Sequence, residues 1–202
     1  MSLREYCNGC LSCASLLTPI PSPLQRLGIA HLAGQLNFPL RTAVGMDCLR
    51  RAADTATIDC PQSPFFLGTL LAGENTSIPF PLDLLLPANS PPSERLAAQH
   101  REAKSYILKA AYLCFPPAQH QAGVMHEFAQ LTCPYDPLLS VQYYALASQE
   151  GEVEADMALS KWFLVGAEGC FEKEEVLSRT FAQKAANMKL PNGLFALGYY
   201  NE

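Results

Sequence analysis

Three cysteines near the start of the chain have the spacing that most readily suggests chemistry. Cys7, Cys10 and Cys13 form a CxxCxxC motif. Three thiolates at this spacing bind zinc or an iron–sulfur cluster when a fourth ligand completes the set. The nearest histidine is His31, and no second CxxC pair follows. A metal-binding module, an S-acylated segment and a disordered cysteine-rich tail stay open as interpretations, and we expect no metal and no cofactor.

The other reactive side chains form no recognisable catalytic set. Five further cysteines show no fixed spacing, which favours buried thiols over disulfide bridges: Cys48, Cys60, Cys114, Cys133 and Cys170. No sequence pattern places a nucleophile beside the remaining histidines, and no HExxH, P-loop or GxGxxG motif occurs: His100, His120 and His126. We therefore predict no catalytic residues and a protein that is not an enzyme.

Composition narrows the class of partner. The 202 residues carry a formal net charge of −5, which argues against nucleic acid because phosphate binding requires clustered Lys and Arg. No run of 18 apolar residues occurs, so no transmembrane segment is expected. Asn75, Thr76 and Ser77 form a glycosylation sequon, which matters only in a secretory protein. The N-terminus is a poor signal peptide.

Two proline-rich segments interrupt an otherwise helical pattern. We predict a disordered Cys/Pro-rich segment over 1–24, degenerate helical repeats over 25–73, a proline-rich loop over 74–93 and well-formed repeats over 94–202. Within the degenerate part, 25–34 and 64–73 are predicted as first helices of a repeat, with 48–53 in a second helix. The predicted helices span 25–34, 43–54, 63–72, 94–112, 118–129, 137–149, 154–166, 173–187 and 192–200.

Small and aromatic residues recur in the second half of the chain with a period of 37 or 38 residues. Three markers keep this register: an aromatic residue (Tyr106, Tyr143, Phe181), an alanine (Ala110, Ala147, Ala185) and a small residue (Ala118, Ala155, Gly193). An aromatic residue and an alanine four positions apart share one helix face. A fixed period of this size indicates stacked repeats. We predict an all-α solenoid of antiparallel helix pairs that forms a right-handed superhelix.

The pattern resembles the Sel1-like repeat, a TPR-like unit longer than the 34-residue tetratricopeptide. The best local match runs from Gly193 to Tyr200 and includes Gly198. We expect Gly198 and the three sets of markers to lie in the core of the repeats. Residues 134–202, with the loop from Gly166 to Gly169 that follows Trp162 and Phe163, are similar to fungal activators of chitin synthase. The resemblance implies a cytoplasmic scaffold that brings chitin synthase to the septum, located peripherally at the plasma membrane or septum. It also implies further repeats, so the array is expected to be truncated after Glu202.

These observations predict a protein–protein interaction scaffold, with chitin synthase as the partner implied by the resemblance. The candidate partner-binding residues are Gln119, Gln121, Asp156 and Lys161. Two alternatives stay open: an adaptor in endoplasmic-reticulum protein quality control, which the sequon at Asn75 would suit, and a metal-binding module built on the CxxCxxC motif.

Overall fold

The chain forms helices throughout the part that its structure describes. The structure, a computed structural model, describes residues 22–35, 39–74 and 91–200. In these ranges it contains nine α-helices: α1 (Pro23–Ala33), α2 (Thr42–Asp54), α3 (Gln62–Ala72), α4 (Pro92–Tyr112), α5 (Pro116–Glu127), α6 (Pro137–Gln149), α7 (Val153–Val165), α8 (Glu175–Asn187) and α9 (Pro191–Tyr200). The first and last residue of each helix lie within two residues of the predicted bounds, and the all-α prediction is confirmed. The CxxCxxC cysteines, Asn75 and nearly all of segments 1–24 and 74–93 lie outside the described residues.

The start of α6 shows how the sequence fixes a helix boundary. The side chain of Asp136 accepts a hydrogen bond from the backbone N–H of Leu139, at 3.0 Å. Pro137 follows at the first helical position, where its missing N–H breaks no hydrogen bond. The helix therefore begins where the sequence predicts, at residue 137.

The chain divides into two compact units, Met1–Ala118 and Gln119–Glu202, and the same close helix–helix contact occurs in both. In the first unit, a Cβ atom added to Gly28 of α1 would lie 2.8 Å from Leu49 Cγ and 3.0 Å from the carbonyl oxygen of Gly45, both on α2. A Cβ atom on Gly68 of α3 would likewise lie 2.6 Å from Ile107 Cγ1 on α4. Only glycine allows the two backbones to come this close.

The second unit repeats this contact twice. A Cβ atom on Gly123 of α5 would lie 2.6 Å from Cε1 of Tyr144 on α6. The hydroxyl of Ser140 donates to the carbonyl oxygen of Gly123 at 3.0 Å. One repeat later, the hydroxyl of Ser178 on α8 donates to the carbonyl oxygen of Ser160 on α7 at 2.6 Å. In both contacts, a serine hydroxyl of the covering helix therefore donates a hydrogen bond to a carbonyl oxygen at the point where the two backbones are close.

These contacts define two kinds of helix. We call a helix B-type when its small residue lies under the next helix (α1, α3, α5, α7), and A-type when it covers that residue (α2, α4, α6, α8). By its position in the repeat, α9 is also B-type. The prediction that 25–34 and 64–73 are first helices, with 48–53 in a second helix, is therefore wrong. Gly28 and Gly68 place these segments in the B-type class, and 48–53 lies in A-type α2.

The repeat markers differ in how far their side chains are buried. The five marker alanines have no exposed surface: Ala110, Ala118, Ala147, Ala155 and Ala185. The marker aromatics are half-buried, whereas the neighbouring Tyr144 is 1% exposed. Gly193 is buried, and a Cβ atom there would lie 2.8 Å from the backbone nitrogen of Ala186. The sequence pattern predicted Gly198 in the core, but it is exposed, and a Cβ atom added to it would meet nothing within 4 Å.

Replacing Gly123 by alanine tests the close contact. The new methyl group must displace the ring of Tyr144, so we expect Gly123→Ala to lower the free energy of unfolding by about 1–3 kcal/mol. Gly198→Ala is the matched control, because its methyl group meets open space and alanine favours a helix by up to about 1 kcal/mol. Chemical denaturation measures both. Equal effects of the two substitutions would contradict the close contact.

Candidate partner-binding groove

The B-type helices of the second unit line a continuous surface depression, which we call the groove. It consists of a cavity of about 250 Å³ along α5 and α7 and one of about 440 Å³ between α7 and α9. Met157, Lys161 and Asn192 line both cavities and so join them. A depression shared by successive helices is suited to an extended or helical segment of a partner.

The groove combines apolar and charged surface. Phe195 is 81% exposed and Leu164 is 38% exposed, both beside Met157 in the larger cavity. Glu127 and Glu154 line the smaller cavity. Exposed apolar side chains with charged residues at their edge are typical of protein-binding surfaces.

A hydrogen-bonded aromatic group forms the floor of the smaller cavity. The hydroxyl of Tyr144 donates to Glu127 Oε2 at 2.5 Å, and burial is the main cause that raises its pKa. The ring of His120 lies 5.4 Å from the ring of Tyr144. Burial lowers the pKa of His120, although Glu154 and the other nearby glutamates act against this. The imidazole is therefore biased toward its neutral form in the groove.

The four candidate partner-binding residues do not share one surface. Lys161 is exposed and lines both cavities. Gln121 is half-buried and does not line either of these cavities. Gln119 and Asp156 are each 1% exposed, so their side chains are not available to a partner. The polarity of these two side chains suggested exposure, but both point into the packed interior.

Asp156 belongs to a polar cluster that joins three helices, in which the carboxylate is buried and the side chain of Lys184 is 47% exposed. The ammonium group of Lys184 on α8 donates to Asp156 Oδ1 at 2.9 Å and to the carbonyl oxygen of Ser148 at 2.7 Å. The hydroxyl of Ser148 donates to Asp156 Oδ1 at 2.5 Å. Lys184 also lies at the C-terminal end of α6, where a cation is favoured. Sequence reasoning missed this cluster because Asp156 and Lys184 are 28 positions apart.

The loop after α7 packs back onto the helices. Ala167 and Phe171 pair as an isolated antiparallel bridge. The ring of Phe171 lies 5.9 Å from the rings of both Trp162 and Phe163. Phe163 in turn stacks on Phe181 of α8 at 5.8 Å. The glycine-containing loop singled out in the sequence is therefore an ordered part of the second unit, held by aromatic contacts.

The part of the chain that the structure describes offers neither a metal site nor a membrane span. Its His, Cys, Asp and Glu side chains form no group of three that could hold a metal ion. No helix within the same ranges has the length and apolar character needed to cross a membrane. The five cysteines there form no disulfide, and only Cys48 and Cys133 are buried, so the prediction of burial is wrong for the other three.

Comparison with known proteins finds relatives of similar sequence. No protein-family model matches the chain. The chain is 32% identical over 178 residues to chitin synthase regulatory factor 4 of Schizosaccharomyces pombe, covering 86% of the chain and 27% of that relative. It is 30% identical to the chitin synthase regulator SKT5 of Malassezia restricta over 173 residues, covering 86% of the chain and 11% of the relative. The chain thus spans about a quarter or less of the length of these curated relatives.

A solved structure supplies the fold comparison. A protective antigen of uropathogenic Escherichia coli that displays an SLR (Sel1-like repeat) fold superposes with a TM-score of 0.66 at 21% identity. The superposition covers 98% of the chain and 36% of the antigen. The predicted Sel1-like repeat fold and the resemblance to chitin synthase regulators are both confirmed.

Removing the cation that covers the buried Asp156 carboxylate should destabilise the second unit. The side chain of Lys184 is 47% exposed, so solvent screens part of the loss, and we expect Lys184→Met to lower the unfolding free energy by roughly 1 kcal/mol. Lys161→Met is the matched control, because Lys161 is likewise exposed but lines the groove, and its loss should change stability by less than about 0.5 kcal/mol. Denaturant titration of the two variants compares them, and a Lys184 variant as stable as the control would refute the role of the cluster.

Acidification should reveal the depressed pKa of His120. In the unfolded chain His120 takes up its proton near its ordinary pKa, while the folded protein resists protonation until lower pH. Between these two pKa values the unfolded state binds more protons than the folded state. The contribution of neutral His120 to the unfolding free energy is therefore complete above the ordinary pKa and is lost as the pH falls toward the lowered pKa of the folded state. We expect unfolding free energy measured from pH 7.5 down to about pH 5 to decline less steeply in His120→Gln than in the parent. If the unfolding free energies of the parent and of His120→Gln decline in parallel with falling pH, His120 is not the source of the pH dependence.

Proposed function

We propose that this chain, which has a Sel1-like repeat fold and is homologous to fungal chitin synthase regulators, is a non-catalytic scaffold that binds chitin synthase. The observation that carries this proposal is an identity of about 30% to two regulators of chitin synthase over 86% of the chain. Because the chain spans only part of each relative, we assign it the binding step and not the whole activity of such a protein.

The groove is the surface that we assign to this binding. Lys161 lies where its two cavities meet, and Phe195 offers a large exposed aromatic side chain beside it. Binding energy at protein interfaces is concentrated in a few aromatic and cationic residues of this kind. Of the four candidates predicted from the sequence, we retain Lys161 as a direct contact and place Gln121 at the edge of the interface.

The proposed partner also suggests where the chain works. We infer that it is cytoplasmic and associates peripherally with the plasma membrane or septum through the enzyme that it binds. The sequence relatives do not favour an endoplasmic-reticulum adaptor or a metal-binding module. The residues on which those alternatives depend, Asn75 and the CxxCxxC cysteines, lie outside the described part of the chain.

Capture of a fungal chitin synthase tests the proposal. We expect immobilised chain to retain the detergent-solubilised enzyme, and Lys161→Glu and Phe195→Ser each to weaken this binding by at least about tenfold, which corresponds to 1.4 kcal/mol. Both residues are exposed, so the folded helices should tolerate the changes.

Val176→Glu is the matched control for this experiment. Val176 is 78% exposed on α8, outside both cavities, and its replacement also puts an acid on the surface. Binding should survive it unchanged. Failure of the parent chain to retain any chitin synthase would contradict the proposed partner, while equal binding by all variants would contradict the groove.

A further inference from the structure

The two cavities of the groove differ in charge. Glu127, Glu154 and Lys161 line the smaller cavity, and two carboxylates against one ammonium group give this lining a formal charge of −1 when His120 is neutral. Among the described residues that line the larger cavity, Lys161 alone is charged. The groove therefore has an acidic end and an apolar end, with Lys161 where they meet.

Aromatic side chains line the acidic end together with the carboxylates. Tyr144, His120 and Phe128 all border the smaller cavity, and Phe128 is 61% exposed. The face of an aromatic ring attracts a cation. A guanidinium group can also stack flat on such a ring while it bonds a carboxylate through two parallel N–H groups, which an ammonium group cannot do. This combination of rings and carboxylates favours arginine over lysine as the occupant.

The carboxylate of Glu127 is held in place for such a contact. Its Oε2 atom accepts the hydroxyl of Tyr144 at 2.5 Å. An ionised carboxylate has about four acceptor sites, so this bond leaves capacity for a guanidinium group. Glu154 is exposed in the first turn of α7. A cationic side chain that enters between α5 and α7 therefore meets a carboxylate from each helix.

The size and spacing of the cavities indicate how much of a partner each one holds. At about 250 Å³ the smaller cavity lies below the roughly 300–1,000 Å³ of sites for whole small ligands, which suits a single side chain. The cavities lie on either side of α7, so their centres are about 10 Å apart, the diameter of a helix. In an extended segment of polyproline II type, side chains three positions apart point the same way and are about 9 Å apart.

We propose that the groove binds an extended segment of its partner that places an arginine in the smaller cavity and a large apolar side chain, three positions away, in the larger cavity. Lys161 lies between them and donates to a backbone carbonyl oxygen of the segment. Glu127 and Glu154 repel an acidic segment. The inference rests on the proposed function of the groove and adds the chemistry of what it binds.

Two synthetic peptides test the arginine site on the full chain. Each has six residues, with prolines around an arginine and a phenylalanine three positions apart, and the two peptides differ in which comes first. Comparison peptides carry citrulline, which keeps the shape of arginine but loses its charge. We expect the better arginine peptide to bind at least about tenfold more tightly than its citrulline counterpart, measured from the backbone amide NMR shifts of residues 120–128 and 154–161. Equal binding, or no binding of either arginine peptide at millimolar concentration, would overturn the proposal.

The titration of His120 reports the charge of the occupant. The carboxylates of Glu127, Glu152 and Glu154 favour protonation of its imidazole. A guanidinium group bound to them offsets this effect, so the arginine peptide should move the pKa of His120 further down. The imidazole proton resonances measure this shift, and a pKa that rises on binding would mean an anionic occupant and contradict the arginine site.

Glu154→Gln removes one carboxylate from an exposed position. It should weaken the arginine peptide by about threefold or more and leave the citrulline peptide unchanged within about 1.5-fold. Glu175→Gln is the matched control, because Glu175 is also exposed in the first turn of a helix but lies outside both cavities. Equal weakening by both substitutions would indicate a general effect of net charge and count against the site.

Capture of detergent-solubilised chitin synthase separates this inference from the proposed function. If the parent chain and a Glu127→Gln/Glu154→Gln variant retain the enzyme equally well, the arginine site is wrong and the proposed function stands. If the chain binds the arginine peptide but retains no chitin synthase, the arginine site stands and the proposed partner is wrong.

Discussion

The close approach of a B-type helix backbone to the following A-type helix is the constraint on which the rest of the structure depends. At Gly28, Gly68 and Gly123 no Cβ atom fits, and the space is taken by a leucine, an isoleucine or a tyrosine of the next helix. At Gly123 and Ser160, a serine hydroxyl bonds the carbonyl oxygen at the point of approach. Because close packing tolerates little change in volume, these contacts fix how each helix pair is arranged.

The same constraint separates the interior of each B-type helix from its functional surface. On α7, Asp156 and Ser160 are 1% and 2% exposed, and Ser160 lies at the base of the larger cavity, while Met157 and Lys161, one position further along, line both cavities of the groove. A helix advances about 100° per residue, so two such pairs four positions apart form adjacent stripes. Substitutions in the groove stripe can therefore change the partner without disturbing the packing that holds the repeat together.

The sequence predicted the helices well because prolines, glycines and a fixed period mark them directly. It failed where the answer depended on residues distant in the chain. Asp156 was predicted to face a partner, but Lys184, one repeat later, binds it in the interior. Tyr143 was chosen as the packing aromatic, but the opening at Gly123 receives Tyr144 instead. The types of 25–34 and 64–73 were reversed because short apolar segments with one glycine suit either kind of helix.

The most direct test of the central constraint is a double-mutant cycle between Gly123 and Tyr144, which are in contact and 21 positions apart. Gly123→Ala, Tyr144→Ala and the double variant are unfolded with denaturant, and the coupling free energy is calculated. If the ring occupies the space that glycine leaves, Gly123→Ala should lower the unfolding free energy when residue 144 is tyrosine and leave it nearly unchanged when residue 144 is alanine. The coupling free energy should then be at least about 1 kcal/mol. Additivity within about 0.5 kcal/mol would contradict the account.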